Sequence, residues 1–402
     1  MNDRTNILVC TYWSLNNALI QTYTLPYLRI IQNHIPKGSR IYLLTLNEKA
    51  KGNSPNYKQI AEALRLENIH VISFAYKPFG FAMALQMMFM IPYLALFCLF
   101  RNVRTLHAWC TPGGAIAWPV SLLTRARLVL DSFEPHADAM LESGTWKKNS
   151  FAYSLLSYLE KKQLQRAEEI ICAAPGMIEH AYKRYGIRKS RYFVKPAGVD
   201  PQLFDPDKKD RVLPQLALQK KVCVYAGKFG DIYLESEAFD FFKAAFDHWK
   251  GEFSLILLNN QDDEIIQSYC RRSGFPYSAI IKRFVKHEEV ANYMALAHFA
   301  FSPNRPMPSR QFSSPIKDGE YWAMGLPLVI PSGISNDSNL VEEHNLGYVL
   351  KALDNKEYKN ALVKIDALLS EPDHKARIRA LGIRERSFRQ AEPVYEAIYA
   401  RH

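Results

Sequence analysis

Short apolar runs, each too brief for a helix and each followed by a segment of helical period, recur along most of these 402 residues. That alternation confines the chain to an α/β architecture. NILVCT at 6–11 precedes an apolar-periodic stretch from about Ala18 to Ile31. RIYLLTL at 40–46 and HVISFAY at 70–76 flank a helical stretch around 57–66, and TLHAWC at 105–110, RLVLDS at 127–132 and EIICAA at 169–174 continue the series. Runs of this kind mark strands buried on both faces. Separated by helices, they predict a parallel sheet with right-handed crossovers.

The pattern breaks at KPAGVDPQLFDPDKKD, residues 195–210, into proline, glycine and aspartate, the residues of turns and linkers. A second series then begins: KVCVYAG at 221–227, FSLILLNN at 253–260, SAIIKRFV at 278–285, HFAFSP at 298–303 and PLVIP at 327–331. Two doubly wound, Rossmann-like domains in tandem are expected, residues 1–205 and 206–384, with a final helix over 385–402 returning to the first. Open α/β sheets bind ligands outside the carboxyl ends of their strands, which predicts a site in a central cleft faced by both domains.

Composition narrows the class. Apolar residues make up 48% of the chain, enough for filled cores, and no short repeat or low-complexity tract is visible. The six cysteines, at 10, 98, 110, 172, 223 and 270, form no CxxC pair and read as reduced core residues rather than a zinc site or disulfide framework. MNDRTNILVCTY lacks the parts of a secretory signal, so a cytoplasmic location is expected.

Residues 313–331, SSPIKDGEYWAMGLPLVIP, are the most informative segment. Ser314 before Pro315 reads as an N-cap with proline at the first helical position, and Gly325 and Pro327 close a helix of about three turns. That helix would start at the carboxyl end of HFAFSP, offering free N–H groups and a positive dipole end to a diphosphate. Lys317 adds a positive charge that a helix start does not favour for its own stability. Glu320, one turn on, is placed to accept hydrogen bonds from two vicinal ribose hydroxyls. The bland reading is a capped helix between two strands with no ligand.

Here the chain resembles the retaining glycosyltransferases of the GT-B fold, family 4 (group 1) and its relatives. Their donor motif reads like EGFGxxxxEAMAxGxPVI, and EYWAMGLPLVI from Glu320 to Ile330 is similar to its second half. The resemblance implies that Glu320 holds the ribose. The family's first glutamate falls on Phe312, a departure, and SSPIK replaces the glycine-rich turn, as in a subgroup whose motif looks like SPxKxxEYxAxGxP. VYAGKFG at 224–230 resembles the family's first C-domain strand and glycine turn, which makes Gly227 and Lys228 candidates at the diphosphate. No second basic residue occurs between Gly230 and Phe242, so Lys317 is expected to take that role with Ser314 at the helix start. KPAGVDPQLFDP and RFVKHEEVANYMALAHFAFSP resemble the family's domain junction and the elements before its donor loop.

In the first domain DSFEPHADAM, 131–140, brings Asp131, Glu134 and His136 to a strand's carboxyl end. The family often carries an acidic residue and a histidine there, which makes His136 and Glu134 the candidate catalytic pair near the acceptor and the leaving phosphate. Hydrogen-bonded loop residues without chemistry are the alternative. No partner set for a metal accompanies them. YWSLNN at 12–17 would line the same cleft without the glycines common in the family.

FGFAMALQMMFMIPYLALFCLF, residues 79–100, holds 22 residues without a charge, and Arg101 and Arg104 follow. Three readings stand: a membrane span, an exposed helix dipped in lipid, or a buried crossover helix interrupted by Pro92. The net charge of +11 is uneven. Residues 1–200 hold 24 Lys and Arg against 13 Asp and Glu, and residues 201–402 hold 27 against 27. The excess points to an anionic partner for the first half, although scattered cations that serve solubility would look the same. No nucleic-acid-binding signature accompanies it, which favours an acidic lipid surface.

The resemblance implies a metal-independent, hexosyltransferase-like enzyme without a cofactor. It would move a sugar from a nucleotide-sugar donor to a lipid-linked or glycan acceptor, in polysaccharide or glycolipid assembly at the inner face of the membrane. The alternatives are a non-catalytic nucleotide-sugar-binding or scaffolding subunit, and an epimerase or phosphorylase of the same fold.

Overall fold

A computed structural model of the protein describes residues 5–48, 55–189, 191–207 and 221–400. The end of the turn-rich 195–210 segment lies outside the described residues.

The chain forms two compact units, Met1–Pro196 with Phe388–His402, and Ala197–Ser387. Each carries one parallel sheet among the described residues. In the first unit β1 (Asn6–Cys10), β2 (Ile41–Asn47), β3 (Ile69–Ala75), β4 (Val103–Trp109), β5 (Arg127–Phe133), β6 (Glu169–Cys172) and β7 (Tyr192–Val194) are ordered β3-β2-β1-β4-β5-β6-β7. In the second, β8 (Lys221–Ala226), β9 (Phe253–Leu258), β10 (Ile280–Arg283), β11 (Phe299–Phe301), β12 (Leu328–Pro331) and β13 (Gly347–Leu350) are ordered β10-β9-β8-β11-β12-β13. Both follow the doubly wound Rossmann pattern, in which the winding reverses beside the first strand. The switch points lie between β1 and β4 and between β8 and β11.

Every apolar run read as a strand is one. The two strands that escaped are edge strands: β7 has three residues, and β13 opens on Gly347 at φ 155°. A Cβ at Gly347 would collide with the backbone of Leu328, so this strand can begin only with glycine.

The second unit begins before Asp205 because the start of the junction packs into it. Phe204 is part of its core, the Ala197 N–H donates to Ser314 Oγ at 2.9 Å, and the Ala197 carbonyl accepts from Arg386 Nε at 2.7 Å. After Ser387 the chain rejoins the first unit. There the Glu392–Tyr399 helix packs against the Leu25–His34 helix, with the Tyr27 and Tyr395 rings 5.9 Å apart.

The uncharged segment forms the Phe81–Phe100 helix, the crossover from β3 to β4. Met83, Met90, Leu94, Ala95 and Cys98 form its buried side, and it packs against the Cys110–Thr124 helix. Only 28% of its most apolar stretch is buried, so it is not an ordinary core helix, although it is long and apolar enough to cross a membrane. Phe81, Met88, Phe89, Tyr93, Leu96 and Phe100 are exposed.

Candidate active site

The second unit's switch point gathers the loop after β8, the loop after β11, and the helix that follows. Residues 230–234 run antiparallel to 303–305, with Leu234 N donating to Pro303 O at 2.7 Å and Arg305 N to Ile232 O at 2.9 Å. Gly227 ends β8. A Cβ there would stand 2.7 Å from Tyr225 Oη, so no side chain is tolerated while the tyrosine keeps its bond to the Lys228 carbonyl. Lys228 is exposed and pairs with Asp231 at 2.6 Å.

The helix after β11 spans Ile316–Ala323 and differs in detail from the expectation. It has eight residues, about two turns, and Pro315 is the N-cap rather than the first helical residue. Ser314 does not cap it, because its hydroxyl is taken by the Ala197 N–H. The helix start is held instead by buried Arg386, whose guanidinium donates to Pro315 O at 2.6 Å and to both oxygens of Asp337 at 2.8 Å. Gly325, at φ 71°, closes the helix as expected.

A polar chain ties this helix to the switch-point loop. Ser302 Oγ donates to Asp318 Oδ1 at 2.7 Å, Asn304 Nδ2 to Ser302 Oγ at 2.8 Å, and Arg310 Nη2 to Asn304 Oδ1 at 2.9 Å. Burial, with the charge of Asp337 beside it, pushes the Asp318 carboxyl well above its ordinary range. Phe312, where the family pattern has its first glutamate, is buried at the end of the Pro308–Phe312 turn.

Lys317 and Glu320 come together. Lys317 Nζ lies 2.8 Å from Glu320 Oε2, and His287 Nε2 lies 3.0 Å from Glu320 Oε1. Glu320 is only 2% exposed, against 36% for Lys317 and 26% for His287. Burial would raise its carboxyl, but the Lys317 charge and the His287 hydrogen bond outweigh that and hold it below the usual carboxylate range. A carboxylate has about four lone-pair positions and two are used here, which leaves capacity for a diol. His287 escaped the sequence reading. It begins the His287–Met294 helix, thirty-three residues before Glu320, and only the tertiary fold joins them.

In the first unit, His136 and Glu134 sit together after β5, with His136 Nδ1 4.0 Å from Glu134 Oε1 and both 31% exposed. Burial disfavours the charged imidazole, but Glu134, with a contribution from Glu160, raises its pKa above the ordinary value. Behind them Glu160 is fully buried, accepting the Ala137 N–H at 2.8 Å and the Tyr185 hydroxyl at 2.7 Å. Burial pushes its carboxyl up to about 7.

Asp131 departs from its expected place at a ligand-facing edge: it is sealed in the core. Lys195 Nζ stands 3.1 Å from its Oδ1, while His107 Nε2 and Tyr395 Oη reach its Oδ2 at 3.1 and 2.7 Å. Among the described residues no three His, Cys, Asp or Glu side chains converge as a metal site.

No family model matches the chain, and no curated protein matches it in sequence. Solved structures match it in fold. Anabaena HepE in complex with UDP and glucose has a TM-score of 0.72 at 13% identity, covering 99% of this chain and 100% of that one. The sucrose-phosphate synthase of Thermosynechococcus elongatus has 0.74 at 14%, covering 99% and 100%. A putative UDP-N-acetylglucosamine 2-epimerase of Listeria monocytogenes has 0.58 at 11%, covering 94% and 91%. At such identities the likeness is one of fold, and the fold it shows is GT-B, with two Rossmann-like domains in one chain.

Proposed function

We propose that the protein is a retaining, metal-independent glycosyltransferase that takes a sugar from a nucleotide-sugar donor. The observation that carries this reading is Glu320, a buried, ionised carboxylate beside Lys317 one turn into a helix that starts at a doubly wound sheet's switch point. A nucleoside diphosphate sugar needs a diol acceptor and an anion site close together, and this element supplies both. Glu320 takes the ribose. Lys317, Lys228 and the helix N-terminus stabilise the charge that develops on the departing diphosphate, as a metal does elsewhere. Gly227 lets the backbone approach the ligand. His136 and Glu134 position the acceptor or the donor sugar in the first unit.

The acceptor we infer is lipid-linked, in glycolipid or cell-surface polysaccharide assembly at the cytoplasmic face of the membrane. Its support is the exposed apolar row of the Phe81–Phe100 helix, in the half of the chain that carries the positive excess. The protein would lie on the bilayer through that unit rather than span it.

Phe312 favours a second reading. With a buried phenyl ring in place of the first glutamate, the chain would bind a nucleotide sugar without turning it over. A thermal-shift screen with nucleotide sugars, followed by a transfer assay on membrane lipid extract, separates the readings. Donor-dependent stabilisation with labelled product supports the enzyme; stabilisation without product supports the binding subunit. No stabilisation by any donor contradicts both.

A further inference from the structure

The His287–Glu320 contact is not explained by helix packing alone. The His287–Met294 helix is already started by its own groups, with Lys286 N donating to Glu289 Oε2 at 3.0 Å and Glu289 N to Lys286 O at 3.0 Å. That cap frees the His287 side chain from any part in starting the helix. Its ring instead lies edge-on to Phe204, with centroids 5.4 Å apart at 64°, and delivers Nε2 to Glu320 Oε1. Phe204 is buried in the core, so one side of the imidazole rests on a fixed wall. Glu320, being ionised, can only accept, so the shared proton sits on Nε2.

The two partners of Glu320 differ in kind. Lys317 is a flexible chain on the same helix, with three rotatable donors and a third of its surface in water. His287 is a rigid ring from another helix, braced by Phe204. Of the two, Lys317 has the longer and more exposed side chain, the better able to turn away from Glu320.

We propose that His287 is a positioning residue of the nucleotide site, holding Glu320 Oε1 so that the carboxylate meets the ribose diol while Lys317 gives up Oε2 and turns to the diphosphate. This rests on the donor-site reading above. In the free protein Lys317 fills the place of a ribose hydroxyl and keeps the buried carboxylate paired. When donor binds, the diol replaces the lysine at Oε2, and the ammonium is released beside the anion that needs it. His287 stays throughout. It acts through Glu320 and touches no reacting atom.

The test compares His287→Leu and His287→Gln with the parent protein by titration calorimetry. The probes are UDP, GDP and ADP and, for whichever binds tightest, its 2′,3′-dideoxy analogue. His287→Leu should weaken binding of the ribonucleotide about tenfold or more, the scale of losing a hydrogen bond to a charged group. His287→Gln, which keeps a donor near the Nε2 position, should recover most of it. The dideoxy analogue should bind all three proteins within about twofold of one another, since it has no diol for Glu320 to meet. Equal weakening of both nucleotides in His287→Leu would mean a merely structural role and would overturn the inference. So would unchanged affinity for the ribonucleotide in folded His287→Leu. If none of the three diphosphates binds the parent protein, the donor-site reading itself falls, and this inference with it.

Discussion

Lys195 Nζ lies 3.1 Å from Asp131 Oδ1, and neither side chain reaches solvent. Four aromatic rings surround the ammonium, with Tyr27 nearest at 3.7 Å and Tyr23, Trp109 and Tyr395 within 6 Å. Burial works against both charges. The charge of each partner outweighs it, so the Asp131 carboxyl is depressed and the Lys195 ammonium strengthened. Asp131→Asn would keep the shape and leave the lysine without a counter-ion, which costs about 3 to 5 kcal/mol for a buried pair. Urea unfolding monitored by circular dichroism should show a loss on that scale. A loss within experimental error would mean that the aromatic cage alone sustains the charge.

Glu160 makes stability depend on pH. Its carboxyl titrates near 7 in the folded protein and near 4.5 when unfolded, so the folded state binds the proton more tightly. Its contribution is therefore complete below about pH 4.5 and is lost as pH rises through 7, a change on the order of 3 kcal/mol. Between pH 5 and 8 the melting temperature of Glu160→Gln should fall less than that of the parent protein. Parallel pH profiles for the two proteins would show that Glu160 is not the group responsible.

Much of this was legible along the chain. Apolar runs locate the strands because a strand buried on both faces must be apolar throughout, and the Ile316–Ala323 helix showed through its closing glycine and its position after a strand. What stayed hidden depends on distant partners. Asp131 reads as a ligand-facing acid until Lys195, sixty-four residues on, is seen to neutralise it. Ser314 reads as a helix cap until Ala197 takes its hydroxyl. His287 is one charged-looking residue among HEEVANYM, and only the fold sets it against Glu320. Arg386 holds the helix start from the far end of the second unit, which no local pattern announces.

If lysines and a helix dipole meet the diphosphate charge, transfer should persist in excess EDTA. Product formation measured with and without chelator checks this. Activity lost to EDTA and restored by a divalent ion would assign that charge to a metal instead.

The exposed row on the Phe81–Phe100 helix predicts flotation with liposomes that contain anionic lipid. Neutral liposomes should carry less protein, and high salt should release part of it. Each nearby Lys or Arg adds about 1 kcal/mol, a contribution that salt screens, while the apolar contact survives. Phe89→Asp with Leu96→Asp, both at exposed positions, should abolish flotation without lowering the melting temperature. A protein that ignores anionic liposomes at low salt would make a soluble acceptor the better assignment.

If Glu320 holds the nucleotide of a sugar donor, removing its carboxylate must weaken donor binding. Titration calorimetry of the parent protein and of Glu320→Ala, with the nucleotide sugar that most stabilises the parent, tests it most directly. The expected result is a folded variant whose donor binding is weaker by about 1 to 3 kcal/mol, the scale of charge-assisted hydrogen bonds. Unchanged affinity in a folded Glu320→Ala would contradict it.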